Sequence, residues 1–293
     1  GALSKPMPLP NGHIVSRERV ELNRPARATV TRMYGGDVLD QTLVEQLVYV
    51  SDGLKVTGYI ARPLNPGRYP VVIWNRGGSG PHGALDDLTA YLILASTAAW
   101  GYVVLATQYR GNMGSEGTED WGGEDIRDGY HLLEVARQLP QANLERVAVE
   151  GASRGGMTTY RMLTMFPGFA CAIVHAGVVD IPDLCCQKDN FARFCKELLS
   201  RFSDDERRAE LERRSAVYFA DQLPANVPIL LLHGDADRII PLSQSEAMAA
   251  RLEELGKSHE FHVIPGGGHV ALKDGSYRVI DKLRRAWLGK YLA

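Results

Sequence analysis

The chain has 293 residues, 45% hydrophobic and 23% charged, with a formal net charge of −2. That balance fits one large or two small α/β domains with a substantial core. It excludes a basic nucleic-acid binder and a surface drawn to anionic membranes. The four cysteines, Cys171, Cys185, Cys186 and Cys195, form no C-x-x-C pair, and no histidine stands at zinc-ligand spacing. No metal and no cofactor are therefore expected. Cys171 lies in an apolar run and reads as core, while a bridge from Cys195 to Cys185 or Cys186 would suit an exported protein.

Residues 1–13 are Pro-rich with few apolar side chains and read as an extended arm. Residues 14–42 add a helix or an edge strand. The expected division is an N-terminal extension over 1–43 and a main domain over 44–293. A hairpin opens that domain: Val44 to Val50, a Ser51-Asp52-Gly53 turn, then Leu54 to Ala61. After the loop Pro63 to Pro70, Val71-Val72-Ile73-Trp74 is a continuous apolar run typical of a strand buried on both faces. The glycine-rich loop Asn75 to Pro81 follows it.

The window Ala90 to Ala106 is apolar enough to suggest a membrane span. Gly101 divides it, so it reads as a buried helix ending near Trp100 and a strand from Tyr102 to Thr107. No signal peptide is visible. The chain opens Gly-Ala-Leu-Ser, which suits a cytoplasmic protein or one exported with its leader removed.

Further along come a helix over 124–139, a strand at Val147-Ala148-Val149, a helix over 156–166 and a strand over 171–177. The series continues with a strand over 228–232, a helix over 243–255, a strand over 260–264 and a helix over 275–291. This alternation predicts a mostly parallel central sheet with helices on both faces and an antiparallel edge at the hairpin. The segment 183–223 is too long for a plain connection. Phe191, Phe194, Leu198, Leu199 and Phe202 recur in it at near-helical spacing, which predicts a helical cap over the site.

Between strand and helix lies Gly151-Ala152-Ser153-Arg154-Gly155. Strand, G-x-S-x-G, helix resembles the nucleophile elbow of the α/β-hydrolase fold. The turn exposes the serine oxygen above the sheet, the glycines allow strained dihedrals and close packing, and the helix N-terminus supplies free N–H groups. A serine needs an imidazole to take its proton and a carboxylate to orient that imidazole. Such groups sit beyond the carboxyl ends of late strands. His269 follows the strand over 260–264 and is selected as base. His175 and His262 lie inside apolar runs and read as core. His13 and His259 read as surface, and His82 as a pocket residue. For the acid, Asp235, Asp237, Asp180 and Asp183 all follow strands, and position leaves them open.

H-G-D-A-D-R-I-I-P at 233–241, G-A-S-R-G-G-M at 151–157 and P-G-G-G-H at 265–269 resemble the motifs of the prolyl oligopeptidase family. So do Tyr109-Arg110-Gly111, G-G-E-D-I-R-D at 122–128 and Arg214-Ser215-Ala216-Val217-Tyr218. The likeness runs from about residue 45 to 290. It implies Ser153, Asp237 and His269 as the triad. Two departures stand out. Fewer than seventy residues precede the sheet, too few for the β-propeller of the family's peptidases. Arg76 also occupies a place where a tyrosine or histidine is common. The oxyanion hole is therefore expected from backbone: the N–H of Arg154 with that of Gly77 or Gly78.

The expected function is a carboxylesterase acting on small to medium esters through an acyl-enzyme, with activity rising from mildly acidic to neutral pH. A peptidase of the aminopeptidase or acylaminoacyl type is the alternative, with Asp180, Asp183 and Glu116 as carboxylates for a free amino terminus. A non-catalytic binding protein on the same fold is the remote one. Partners are a small ester or a short peptide. Arg76, His82, Arg110, Phe191 and Phe194 are expected to line the pocket.

Overall fold

Val71 to Ile73 are fully buried and Trp74 nearly so, and the run forms the middle of strand β4. The structure, a computed structural model, describes residues 8–293, so positions 1–7 of the expected arm lie outside the described residues. The strands are β1 Ile14–Arg19, β2 Thr42–Ser51, β3 Leu54–Pro63, β4 Tyr69–Asn75, β5 Val103–Thr107, β6 Ala142–Ala152, β7 Cys171–His175, β8 Ile229–Gly234 and β9 His259–Ile264. They form one sheet in the order β1-β2-β3-β5-β4-β6-β7-β8-β9. The joins from β1 to β5 are antiparallel and those from β5 to β9 parallel. This is the α/β-hydrolase architecture. Positive φ at both Asp52 (50°) and Gly53 (78°) gives the tight hairpin turn that joins β2 to β3.

The period-two alternation of strand side chains divides the core into two layers. Val71 and Ile73 join Leu105, Val149 and Leu231 on one face, under the helices Ile126–Arg137, Arg154–Met165 and Leu242–Glu254. Val72 and Trp74 join Val104, Ala148 and Leu230 on the other, with the C-terminal helix Tyr277–Leu292. The apolar window divides as expected. Asp87–Ala90, a π-turn at Tyr91–Ala95 and Ser96–Ala98 form one helical stretch against the second layer, followed by β5. Among the described residues no helix is long and apolar enough to cross a membrane.

Segment 14–42 supplies both a strand and helices. β1 extends the antiparallel edge, and the helices Arg24–Tyr34 and Asp37–Gln41 bury Val30 and Val38 in the second layer. Between β7 and β8 four helices form the insertion: Ile181–Gln187, Asp189–Leu198, Asp204–Arg213 and Ala216–Phe219. It begins two residues earlier than expected, where Asp180 caps the first helix by accepting from the Asp183 N–H at 3.0 Å. Asp204–Arg213 buries no residue. The two helices before it pack Leu184, Cys195, Phe191, Phe194 and Leu198 against Trp121, Met157 and Ile240 of the main body. A disulfide joins Cys185 to Cys195, and Cys171 and Cys186 are free.

Candidate active site

Ser153 stands between β6 and its helix at φ 57°, ψ −119°, a conformation that costs a side-chain-bearing residue energy and persists only where neighbours enforce it. The enforcing bonds are local. The Ser153 N–H donates to the His175 carbonyl at 2.8 Å, and the Ser153 carbonyl accepts from Gly156 (3.0 Å) and Val178 (3.2 Å). Gly155 permits the crossing, since a Cβ there would lie 1.9 Å from the Asn75 carbonyl oxygen.

The loop after β4 lies against the nucleophile. A Cβ on Gly77 would come within 3.1 Å of Ser153 Cβ. Among the described residues neither Gly77 nor Gly78 donates its N–H to a protein acceptor. Arg154 opens its helix, where backbone N–H groups have no intrahelical partner. Of the expected oxyanion donors, Gly77 thus lies against the serine and Arg154 follows it directly in the chain. The Arg154 side chain, fully buried, binds the Gly78 carbonyl (2.8 Å), Asp125 (2.7 Å) and Glu119, with its guanidinium 4.4 Å from the centre of the Tyr109 ring.

His269 and Asp237 meet as expected. Nδ1 of the imidazole lies 2.7 Å from Asp237 Oδ2, and the aspartate side chain is 0% exposed. Asp237 Oδ1 accepts from the N–H groups of Ile239 (2.8 Å) and Ile240 (3.0 Å). Burial alone would raise this carboxyl. Hydrogen bonds from His233 and His269, the charge of His269 and the Ile239 N–H outweigh it and hold it well below the usual carboxylate range. Asp237 is therefore ionised wherever the imidazole titrates. Ser153 Oγ has no hydrogen-bond partner among the described residues, a looseness common before substrate binds.

The losing acids perform turn and capping chemistry. Asp235 accepts from the Gly266 N–H at 2.7 Å, Asp180 caps its helix, and Asp183 accepts from Gln187 (2.7 Å) and Gln244 (3.1 Å). Glu116 accepts from the Lys55 N–H at 2.7 Å.

The pocket expectations are met unevenly. Phe191 and Phe194 belong to the cluster beside the site, with Phe194 4.5 Å from the Trp121 ring, centre to centre. His82 is exposed, and its carbonyl accepts from Arg76 at 3.1 Å. Arg76 and Arg110 require correction. Arg76 is wholly buried and donates to the carbonyls of Gly77, Gly80, His82 and Gln108 at 2.9–3.3 Å, so it shapes the glycine loop. Arg110 is buried, forks onto Asp128 and reaches Asp52 at 2.8 Å. Neither guanidinium is free to meet a substrate. His262 is corrected as well: β9 is the edge strand, and this side chain is 39% exposed.

Two sets of residues escaped the sequence reading. Trp121 packs on the cap, and its indole N–H donates to Ser79 in the glycine loop at 2.7 Å. Beneath the elbow, Glu150 is fully buried and accepts from Arg284 at 2.5 and 2.9 Å, with His175 Nε2 at 2.5 Å. Burial pushes Glu150 up, but Arg284 and His175 overcome it and bring it down to about 2. A charged residue inside a strand signalled this cluster, but its partner lies 134 positions away.

The profile of the prolyl oligopeptidase family matches residues 89–293. Over 215 residues the chain is 29% identical to the uncharacterized peptidase YtmA of Bacillus subtilis, covering 73% of this chain and 81% of that protein. It is 26% identical over 212 residues to the acylamino-acid-releasing enzyme of Sus scrofa, covering 66% of this chain and 28% of that one. A solved acylaminoacyl peptidase of Pyrococcus horikoshii superposes with a TM-score of 0.73 at 23% identity, over 86% of this chain and 42% of that one, a likeness of fold. The chain thus spans less than half of each of the two larger proteins. These findings overturn the expected carboxylesterase, because the matching family and relatives are peptidases. The ester reading leaned on the short segment before the sheet, and that length says nothing about which acyl bond is cleaved; a serine triad serves esters and amides alike. The chain belongs to the prolyl oligopeptidase family.

Proposed function

We propose that this chain is a serine peptidase of the acylaminoacyl type, acting on short peptides whose amino end is blocked. The observations that carry the reading are the buried, ionised Asp237 holding His269 at 2.7 Å and a serine held in a strained strand-to-helix elbow. Ser153 Oγ attacks the peptide carbonyl while His269 Nε2 takes its proton. The Arg154 N–H, with that of Gly77 or Gly78, receives the oxyanion; one such donor is worth about 2.7–4 kcal/mol of barrier. The imidazolium then protonates the leaving amine. Water, deprotonated by His269, releases the acyl group and restores Ser153. Asp237 fixes the imidazole tautomer throughout.

The blocked amino end follows from the carboxylates. A free ammonium needs anionic partners in a dry pocket. Asp180, Asp183 and Glu116 are engaged in turns and caps, and Glu119 is paired with Arg154. What remains beside the site is aromatic and aliphatic: Trp121, Phe191, Phe194 and Ile240. The name of the Sus scrofa relative points the same way.

The test compares kcat/KM on acetyl-alanyl and alanyl p-nitroanilides, with Ser153→Ala as the blank. The acetylated substrate should be preferred by about tenfold or more, with no turnover by the variant. Preference for the free amine would refute the acylaminoacyl assignment, and anilide cleavage surviving Ser153→Ala would refute the triad.

A further inference from the structure

His233 is the last side chain of β8, and it is 2% exposed. Its two ring nitrogens are both engaged. Nδ1 lies 2.7 Å from Ser245 Oγ, on the buried face of the helix Leu242–Glu254. Nε2 lies 3.0 Å from the Ile240 carbonyl oxygen and 3.4 Å from Asp237 Oδ2. The partners assign the protons. Ile240 offers a carbonyl, which can only accept, so Nε2 carries hydrogen. Among the described residues the Ser245 hydroxyl has no other acceptor, so it donates to Nδ1. The contacts are those of an Nε2–H tautomer, whose N–H goes to the Ile240 carbonyl while Nε2 lies 3.4 Å from Asp237 Oδ2.

We propose that Ser245 and His233 are positioning residues for the acid of the triad, and that they act on His269 through Asp237. The inference rests on the triad of the proposed function. Oδ1 of Asp237 is taken by two backbone N–H groups, and Oδ2 bonds His269 Nδ1 and lies 3.4 Å from His233 Nε2. With His233 on one side of Oδ2 and His269 Nδ1 on it at 2.7 Å, the imidazole of His233 backs the carboxylate against turning. The His233 N–H also draws charge from the anion, which moderates how strongly Asp237 stabilises the imidazolium. Ser245 matters because it fixes the tautomer: without its hydroxyl the proton can move to Nδ1, leaving the bare Nε2 lone pair against two oxygens.

The other charged groups on the surrounding elements do not perform this role. Asp235 and Asp274 accept backbone N–H groups of the loop 265–268, at 2.7 and 2.6 Å. Lys188 Nζ binds the Arg238 carbonyl at 2.8 Å, and the side chains of Arg238, Glu246 and Lys273 are exposed.

The experiment uses Ser245→Ala, Ser245→Thr, His233→Gln and His233→Leu. Each is titrated with a fluorophosphonate, so that rates refer to folded sites. Ser245→Ala should lower kcat roughly tenfold with KM little changed, as loss of an orienting partner does. It should also move the acid limb of kcat/KM to higher pH, because Asp237 then holds the imidazolium more tightly. Ser245→Thr keeps the hydroxyl and should restore both. His233→Gln keeps a donor near Nε2 and should fall between wild type and His233→Leu. A merely structural role would reduce titratable sites and leave the limb unmoved, and that result overturns the inference.

The downfield proton resonance of His269 Nδ1–H is read alongside. It should shift in Ser245→Ala and return in Ser245→Thr; no shift would also overturn the inference. This signal does not depend on turnover. A shifted resonance in a protein that cleaves no anilide would sink the peptidase reading and leave the positioning role standing.

Discussion

Gly234 lies against Gly267 so closely that a Cβ at position 234 would sit 2.0 Å from the Gly267 carbonyl oxygen. That contact lets the loop carrying His269 descend onto the loop carrying Asp237. The descent is fixed by the Ala236 N–H donating to Gly267 at 2.9 Å and the Asp235 N–H to Ile264 at 3.2 Å. Gly234→Ala should therefore lift His269 away from its acid. A displacement of about an ångström at a catalytic group costs on the order of 10²-fold in rate. The check is kcat/KM per folded molecule, with near-ultraviolet circular dichroism confirming a native core. Full activity would show that the two loops are positioned by other contacts.

Asp237→Asn tests the acid itself. The amide keeps the shape but presents a donor to one imidazole nitrogen, and kcat should fall on the order of 10⁴-fold. Binding of a substrate analogue should persist. A loss below tenfold would move the search back to Asp235 or Asp180.

Arg76→Ala separates loop shaping from substrate charge. The buried guanidinium holds three carbonyls of the loop after β4 and that of Gln108, just past β5. Its removal should slow anionic and neutral substrates alike, mainly in kcat. A selective loss on anionic substrates would give it a direct binding role.

Phe194→Ala should act on KM. Its ring packs on Trp121, which in turn binds the glycine loop. Peptides with an aromatic blocking group should lose affinity more than acetylated ones. Equal changes on both would place Phe194 in the packing of the cap alone.

Glu150 predicts an acid limb of stability. Its folded value is depressed from 4.5 to about 2, so its contribution is complete above about pH 4.5 and disappears as pH falls towards 2. Glu150→Gln should flatten thermal stability in that window. At neutral pH it should cost about 3–5 kcal/mol, because Arg284 is left buried without its partner. Adding Arg284→Met should recover part of the loss. Melting curves from pH 2 to 7 decide it, and unaltered curves would mean that water reaches the pair.

The elbow was legible because its chemistry is local: strand, glycine, serine and helix fall within a dozen residues. The sheet was legible because fully buried strands read as continuous apolar runs. β1 was harder, since Ile14–Arg19 gains its identity from pairing with β2, thirty residues on. Position left four aspartates open, and only the family motif separated Asp237 from the rest. The geometry shows why: Asp235 has equal access to a loop but faces the Gly266 N–H. Arg76 and Arg110 misled because a charged side chain in a glycine-rich loop suggests a ligand. Their carbonyl and carboxylate partners become visible only once the loops close around them. His233 was read only as the first residue of a motif at the end of an apolar strand, with no role of its own.

In the proposed mechanism Arg154 offers its backbone N–H to the oxyanion, while its guanidinium binds Gly78, Asp125 and Glu119. Every substitution there except proline retains the N–H, so a mutational scan will score the position as catalytic for reasons unrelated to its part in the chemistry. The converse also holds. Glu119, which grips the guanidinium and is 26% exposed in its side chain, gives solvent a handle on the side chain of this residue. In the proposed reaction, the residue that supplies an oxyanion donor is thus tied to the protein surface through a charge that solvent reaches.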